Sequence, residues 1–498
     1  MPPVRRSAHS RHWFLDGAAQ RPKTAFSVLF PTVEYALFFV CAFVGAWALA
    51  RSLEAHKLFL LGASWFFYAY WDWRFLPVLL GLSFEAALVA IALEEEVSER
   101  RRRFILGFGV TAVLLTLALF KYLGFGASVL LMALQSLGLS PGAPSLPEVA
   151  LPVGISFFSF HAISLMVDSW RRRIPVKVRV VDALLYVAFF PQLVAGPILR
   201  AATFLPALAK PRDPTNIELP LALQRVALGL FRKVVLAQLL ASALVDPVFE
   251  APGEHSSVEV LLAVYGYAAQ IFCDFSGYTD LAIGSAALLG YSMPENFDAP
   301  YAAKNPQDFW RRWHISLSGW LRDYLFIPLG GSRGSPARTA AALGLTMVLG
   351  GLWHGAAWTF VVWGAFHGAG LIIHRAWAAW PSVQPLRKSA VWGLVSQGLT
   401  FHFVCAGWVL FRAPSLAIAG EMFAAIARGV RGPVPFWVAG VVLVALLASV
   451  VPADGAAAVR ARFSRWPLVA QGVLFALLVV ALDALGPRGV APFIYFQF

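Results

Sequence analysis

Charge is what this sequence has least of. Asp, Glu, Lys and Arg together make up 13% of its 498 residues, about half the share in soluble domains. A soluble fold of this length needs a charged surface, so the shortage excludes one large water-soluble core. Cysteine is almost absent too. Cys41, Cys273 and Cys405 are far apart, each inside an apolar stretch, which excludes a disulfide framework or a cysteine metal motif. The chain also lacks a P-loop, a dinucleotide-binding glycine pattern and an HExxH motif, so ATP-driven pumping and zinc hydrolysis have no support. No tandem or inverted repeat is visible, which counts against a secondary transporter. No metal site is expected.

What is present is apolar. Hydrophobic residues make up 59% of the chain and the mean hydropathy is +0.68. Crossing a bilayer takes about 20 apolar residues. Runs of that kind recur near residues 33–50, 58–71, 75–93, 104–123, 149–168, 182–199, 221–245, 258–290, 338–375, 389–411, 434–452 and 467–484. The stretch 122–137 is ambiguous, and 338–375 is long enough for two segments. The fold class is therefore all-α: a polytopic membrane bundle of about 11–13 spans with interfacial or re-entrant helices.

The net charge is +13. Its basic residues gather between the apolar runs, in Glu94–Arg103, Arg171–Arg179 and Lys210–Arg212. That placement fits cytoplasmic loops and not a nucleic-acid surface. Residues 1–25 are polar, Arg-rich and without an apolar h-region, so they read as a disordered extension and not a secretory signal. Residues 26–498 are expected to form one membrane domain.

The chemistry-bearing residues stand out against this background. From Thr339 to His374 there are 36 residues without Asp, Glu, Lys or Arg, and His354 sits inside them. An ionisable group at membrane depth is costly and usually faces a cavity. Gly350, Gly351 and Gly355 surround it, and glycine permits close backbone approach or a helix break. A packing histidine and a cavity-lining one both fit this pattern. His367 follows 13 residues later, about 3.6 helical turns, so a straight helix would not stack the two on one face.

Asp308–Gly331 mixes Trp310, Trp313 and Trp320 with Arg311, Arg312, Arg322, Asp323 and His314. It is too charged to span and reads as an amphipathic segment at the interface or folded into the bundle. An Arg311–Arg312 pair suits the anionic groups of a donor, or lipid headgroups. Asp274 and Asp280 lie in an apolar run and are candidates for ion pairs with those arginines or for a role in the site. His161 is a further buried-histidine candidate.

Five stretches carry a family resemblance: LPVGISFFSFHAISLMVDSWR, FFPQLVAGPILR, FCDFSGYTDLAIGSAALLGYSMPENFDAPY, DFWRRWHISLSGWLRDYLFIPLGG and GGLWHGAAWTFVVWGAFHG, with a C-terminal PFIYFQF. In this order they resemble the membrane-bound O-acyltransferase family, in its bacterial alginate O-acetyltransferase branch, from about Phe26 to Phe498. The resemblance implies a ring-like bundle with a central pore. It implies that His354 is the catalytic histidine and that His314 is the second conserved polar position. It further implies an acetyl-CoA or other acyl-thioester donor with no bound cofactor, and a location in the cell inner membrane. The acceptor it implies is an envelope or extracellular polysaccharide, with D-alanyl or peptidoglycan transfer as alternatives and a transporter or flippase as the rival class. A periplasmic SGNH-type partner would complete the transfer. Neutral imidazole can take a hydroxyl proton near neutral pH, so His354 is expected to activate the acceptor while His314 orients the donor. Arg311, Arg312, Trp313, Asp274, Asp280, His161 and His367 are candidate pore or donor-lining residues. Tyr495 in the tail is a candidate acyl relay, or an interfacial aromatic anchor.

Overall fold

The computed structural model describes residues 32–139, 150–383 and 388–485. Among them the chain is all-helical, with one isolated β-bridge between Phe297 and Trp313. The first half supplies α1 (Val33–Ala48), α2 (Leu53–Asp72), α3 (Leu76–Glu95), α4 (Glu99–Leu117), α5 (Leu123–Ser136), α6 (Ile155–Trp170) and α7 (Leu219–Leu230). The second half continues with α8 (Ser257–Leu288), α9 (Pro306–Arg312), α10 (Ile315–Leu321), α11 (Pro336–His354), α12 (Trp358–Ala378) and α13 (Ala390–Arg412). It closes with α14 (Leu416–Ala427), α15 (Phe436–Ser449), α16 (Ala453–Phe463) and α17 (Leu468–Leu485).

Local sequence sets the starts of these helices. Asn305 caps α9 and Ser335 caps α11, each followed by proline at the first helical position. The side chain accepts an otherwise unpaired backbone N–H, and proline needs no N–H there. Ser256 and Glu259 form a reciprocal capping box at the start of α8, satisfying two donors at once. That anchors the longest and most buried helix, which carries Asp274 and Asp280 through the interior.

Among the described residues, five segments are long and apolar enough to cross a membrane: Leu53–Glu95, Glu99–Ser136, Leu219–Glu250, Ser257–Leu288 and Ala390–Arg412. A sixth is possible if α15 and α16, bent by 101°, make one span. This is fewer than the 11–13 expected from apolar runs. The physical reason is segmentation. The run at 149–168 becomes α6, only 16 residues long. The run at 182–199 breaks into helices of 9 and 4 residues joined by irregular backbone. Such pieces are apolar because they are buried in the bundle, and apolarity alone does not distinguish that from contact with lipid.

The charge-free run at 338–375 does form two elements. α11 ends at His354, three residues are non-helical, and α12 begins at Trp358. Glycines let the two helices touch. A Cβ at Gly351 would lie 2.2 Å from the Phe360 carbonyl oxygen, and one at Gly364 would lie 2.4 Å from that of Met347. Only a bare backbone fits at such distances.

Candidate active site

A helix leaves its last four carbonyls without intrahelical donors, and in α11 those belong to residues 351–354. All four are accounted for. The Gly351 carbonyl accepts from the Gly355 N–H at 3.3 Å, and the Leu352 carbonyl accepts from the Tyr122 hydroxyl at 2.8 Å. The Lys121 ammonium donates to the carbonyls of Trp353 and His354, the latter at 3.3 Å, and to the Ser156 hydroxyl at 3.2 Å. A cation at the negative end of a helix dipole is the favourable sign. Lys121 and Tyr122 come from a π-helical turn, Ala118–Tyr122, between α4 and α5. Such turns re-aim side chains and often occur at functional sites.

The capped helix end presents His354, which is 5% exposed. Its ring lies edge-on to Trp353, Trp363 and Phe411, with centroids 5.0, 5.1 and 5.2 Å away. Trp353 is held in turn by α6, stacking on Phe160 at 5.2 Å and meeting Phe157 at 5.3 Å. Phe160 also stacks on Trp320 at 3.6 Å. Lys121, His314 and His367 are near enough to act electrostatically on His354.

His314 occupies the junction of α9 and α10 in a left-handed conformation, φ +43° and ψ +56°. That region is uncommon for a residue with a Cβ and costs about 1–3 kcal/mol. The surrounding backbone holds it there. Asn296 accepts from the Ile315 N–H at 3.0 Å and, through its side chain, from the Ser316 N–H at 3.2 Å. Asp298 N–H donates to the Arg312 carbonyl at 3.0 Å. The His314 ring abuts Phe275 at 4.6 Å and Trp353 at 6.2 Å, so His314 and His354 share Trp353 as a neighbour.

His367 joins the same region from α12. It is fully buried, 4.8 Å from Trp363 and 5.2 Å from Trp310. Neither ring nitrogen of His314 or His367 has a hydrogen-bond partner among the described residues, nor has the indole N–H of Trp310 or Trp363. Buried polar atoms without partners are rare and costly. Four such side chains, His314, His367, Trp310 and Trp363, lie in the region of His354.

The remaining candidates are more scattered. Trp313 is buried against Trp408 and Phe297. Arg312 is held by Asp308 at 2.9 Å, and Arg311 is exposed, so the two arginines do not form a pair aimed at His354. Asp274 and Asp280 do not pair with the arginines of the 308–331 segment. Asp274 binds Lys233, and Asp280 binds Arg225 and Arg232, both at 2.8 Å. His161 is fully buried beside Tyr186, 5.6 Å away, with neither ring nitrogen partnered among the described residues. It shares α6 with Phe157 and Phe160 but makes no ring contact with His354. Tyr495 and residues 1–25 lie outside the described residues. Lys121 was not anticipated. Its one sequence signal is a lysine near the end of an apolar run, which reads equally well as an interfacial anchor.

Comparison with known proteins places the chain in a family of membrane enzymes. The membrane-bound O-acyltransferase family matches residues 104–416, which contain Lys121, His314, His354 and His367. The chain is 38% identical over 403 residues to "Probable alginate O-acetylase AlgI" of Azotobacter vinelandii, covering 80% of this chain and 78% of that one. Identity to the Pseudomonas aeruginosa protein of that name is also 38%, covering 80% and 75%. The "Peptidoglycan O-acetyltransferase" of Helicobacter pylori is 33% identical over 429 residues, 79% of each chain.

Proposed function

Since this chain belongs to the membrane-bound O-acyltransferase family, we propose that it moves acetyl from a cytosolic thioester onto hydroxyls of an alginate-like polysaccharide, with His354 as general base. The observation that carries the assignment is the end of α11. One histidine is held there by a fully capped helix terminus, among aromatic rings and beside His314.

In the proposed step His354 accepts the proton of the acceptor hydroxyl. The oxygen forms a bond to the thioester carbonyl carbon, and the carbon–sulfur bond breaks. The imidazolium then returns its proton to the departing thiolate. The products are an ester and a free thiol, and no external acid is needed. General base catalysis of this kind is worth about 10²–10⁴-fold. His314 and His367 are assigned to orienting the reactants, which can contribute as much as the proton transfer itself. Trp310 and Trp363, whose indole N–H groups have no partner among the described residues, are assigned as further donors to the reactants. A ring-like arrangement with a central pore gives the donor and the acceptor access from opposite faces of the inner membrane. In a second, two-step version the hydroxyl that first takes the acetyl from the thioester is that of Tyr495, and a periplasmic SGNH-type partner then moves it from the tyrosyl ester to the polysaccharide, freeing the tyrosine.

The Helicobacter pylori relative supports a second reading, with peptidoglycan as the acceptor. Deleting the gene and measuring ester-linked acetate on each envelope polymer decides between them. Loss from an alginate-like exopolysaccharide supports the first, loss from peptidoglycan the second, and unchanged acetate on every polymer refutes both.

A further inference from the structure

α15 is apolar and faces outward, with Phe436 94%, Leu443 57% and Val444 61% exposed. It ends in a 101° bend, beyond which α16 carries Asp454, Arg460 and Arg462, followed by Arg465 and Trp466. The step from an apolar helix to a charged one with a flanking tryptophan marks the depth of lipid headgroups.

At this bend lies a cavity of about 260 Å³ between α7, α8 and α16. Its polar wall includes Arg225, Arg232, Ser276, Asp280, Glu295 and Arg460, and Val451 and Val459 form part of its apolar wall. The charges do not balance. Arg225 grips Glu295 through both terminal nitrogens and reaches Asp280 with Nε at 2.8 Å. Arg232 takes the other Asp280 oxygen at 2.8 Å. Both carboxylates are thereby used, and Arg460 has no ion pair among the described residues. Three guanidinium groups against two carboxylates leave one positive charge in excess. Ser276 adds a second, independent signal. It is 4% exposed, lines the cavity, and its hydroxyl has no hydrogen-bond partner among the described residues.

The geometry points to a binding site for one phosphodiester, the headgroup phosphate of an anionic membrane phospholipid. A phosphodiester carries a single negative charge, equal to the excess. Its oxygens match a guanidinium fork and a hydroxyl donor, and the acyl chains would leave past Val451 and Val459, which are 44% and 67% exposed. Asn296, next to Glu295 in the chain, holds the backbone around His314. This site is independent of the acyl-transfer proposal.

The test uses the full chain in detergent, with native mass spectrometry and thermal melting as readouts. The probes are phosphatidylglycerol, diacylglycerol with the same acyl chains, and inorganic phosphate. Expected results are retention of one phosphatidylglycerol per chain, a raised melting temperature, and no retention of diacylglycerol. Arg460→Gln should weaken phosphatidylglycerol binding at least tenfold, and Arg460→Lys should restore most of it. Because Arg460 makes no ion pair among the described residues, neither change removes a folding contact of that kind there. Melting of the unliganded variants at the wild-type temperature checks this. Equal retention of phosphatidylglycerol and diacylglycerol, or unchanged binding in folded Arg460→Gln, overturns the site. Inorganic phosphate binding as tightly as phosphatidylglycerol overturns the lipid assignment and makes free phosphate the ligand.

Discussion

Replacing Lys121 with methionine removes a charge while keeping a similar length and shape. The ammonium holds the carbonyls of Trp353 and His354 and the hydroxyl of Ser156. Hydrogen bonds from a charged donor contribute about 1.5–3 kcal/mol each, and a buried carbonyl left unpaired costs about 1–3 kcal/mol. Favourable charge at a helix end adds about 0.3–1 kcal/mol. The last turn of α11 can avoid much of this loss by unwinding, and that would move His354. A displacement near 1 Å at a reacting group costs about 10²-fold in rate. Lys121→Met should therefore lower kcat for acetyl transfer by about 10²-fold, with a modest fall in melting temperature and little change in membrane insertion. Lys121→Arg, which restores donors at the helix end, should recover part of the activity. The assay is ester-linked acetate formed by reconstituted protein, alongside melting followed by tryptophan fluorescence. Wild-type kcat in folded Lys121→Met would refute the reasoning.

Other expectations rest on separate contacts. Gly351→Ala places a methyl group 2.2 Å from the Phe360 carbonyl oxygen, so the α11–α12 hairpin should be forced apart at a cost of about 1–3 kcal/mol, read as a lower melting temperature and lost transfer. His314→Asn keeps a side chain that tolerates the left-handed conformation and removes the imidazole. Transfer should fall at least about tenfold with no drop in melting temperature beyond that from lost packing on Phe275. Asp280→Asn leaves Arg225 and Arg232 with one carboxylate between them. Breaking a buried pair costs about 3–5 kcal/mol, so folded yield and melting temperature should drop while kcat per folded molecule stays near wild type.

The sequence made some parts of this picture legible and hid others, for physical reasons. The break at His354 was readable because an isolated ionisable side chain is costly in a charge-free membrane run, and the glycines around it permit a turn or close packing. The partners of Asp274 and Asp280 were not. The arginines that follow them in the 308–331 segment looked suitable, yet Arg225, Arg232 and Lys233, 40 or more residues earlier in the chain, are the ones that α7 and its π-helical continuation bring alongside α8. Lys121 was hidden for a related reason. It lies 233 residues from His354, and no local pattern separates a snorkelling lysine from one that turns inward to cap another helix. Among the described residues fewer segments pass as candidate spans than there are apolar runs, because hydropathy reports burial and lipid contact with one signal, and the pieces between 180 and 199 are buried in protein. The strain at His314 depends on a backbone angle that composition does not encode.

The measurement that tests the central claim most directly is acetyl transfer by His354→Ala beside wild type, in membranes containing equal amounts of folded protein. The account predicts loss of at least about 10²-fold in ester-linked acetate formation, with insertion and melting temperature retained. Transfer by folded His354→Ala at the wild-type rate would contradict it.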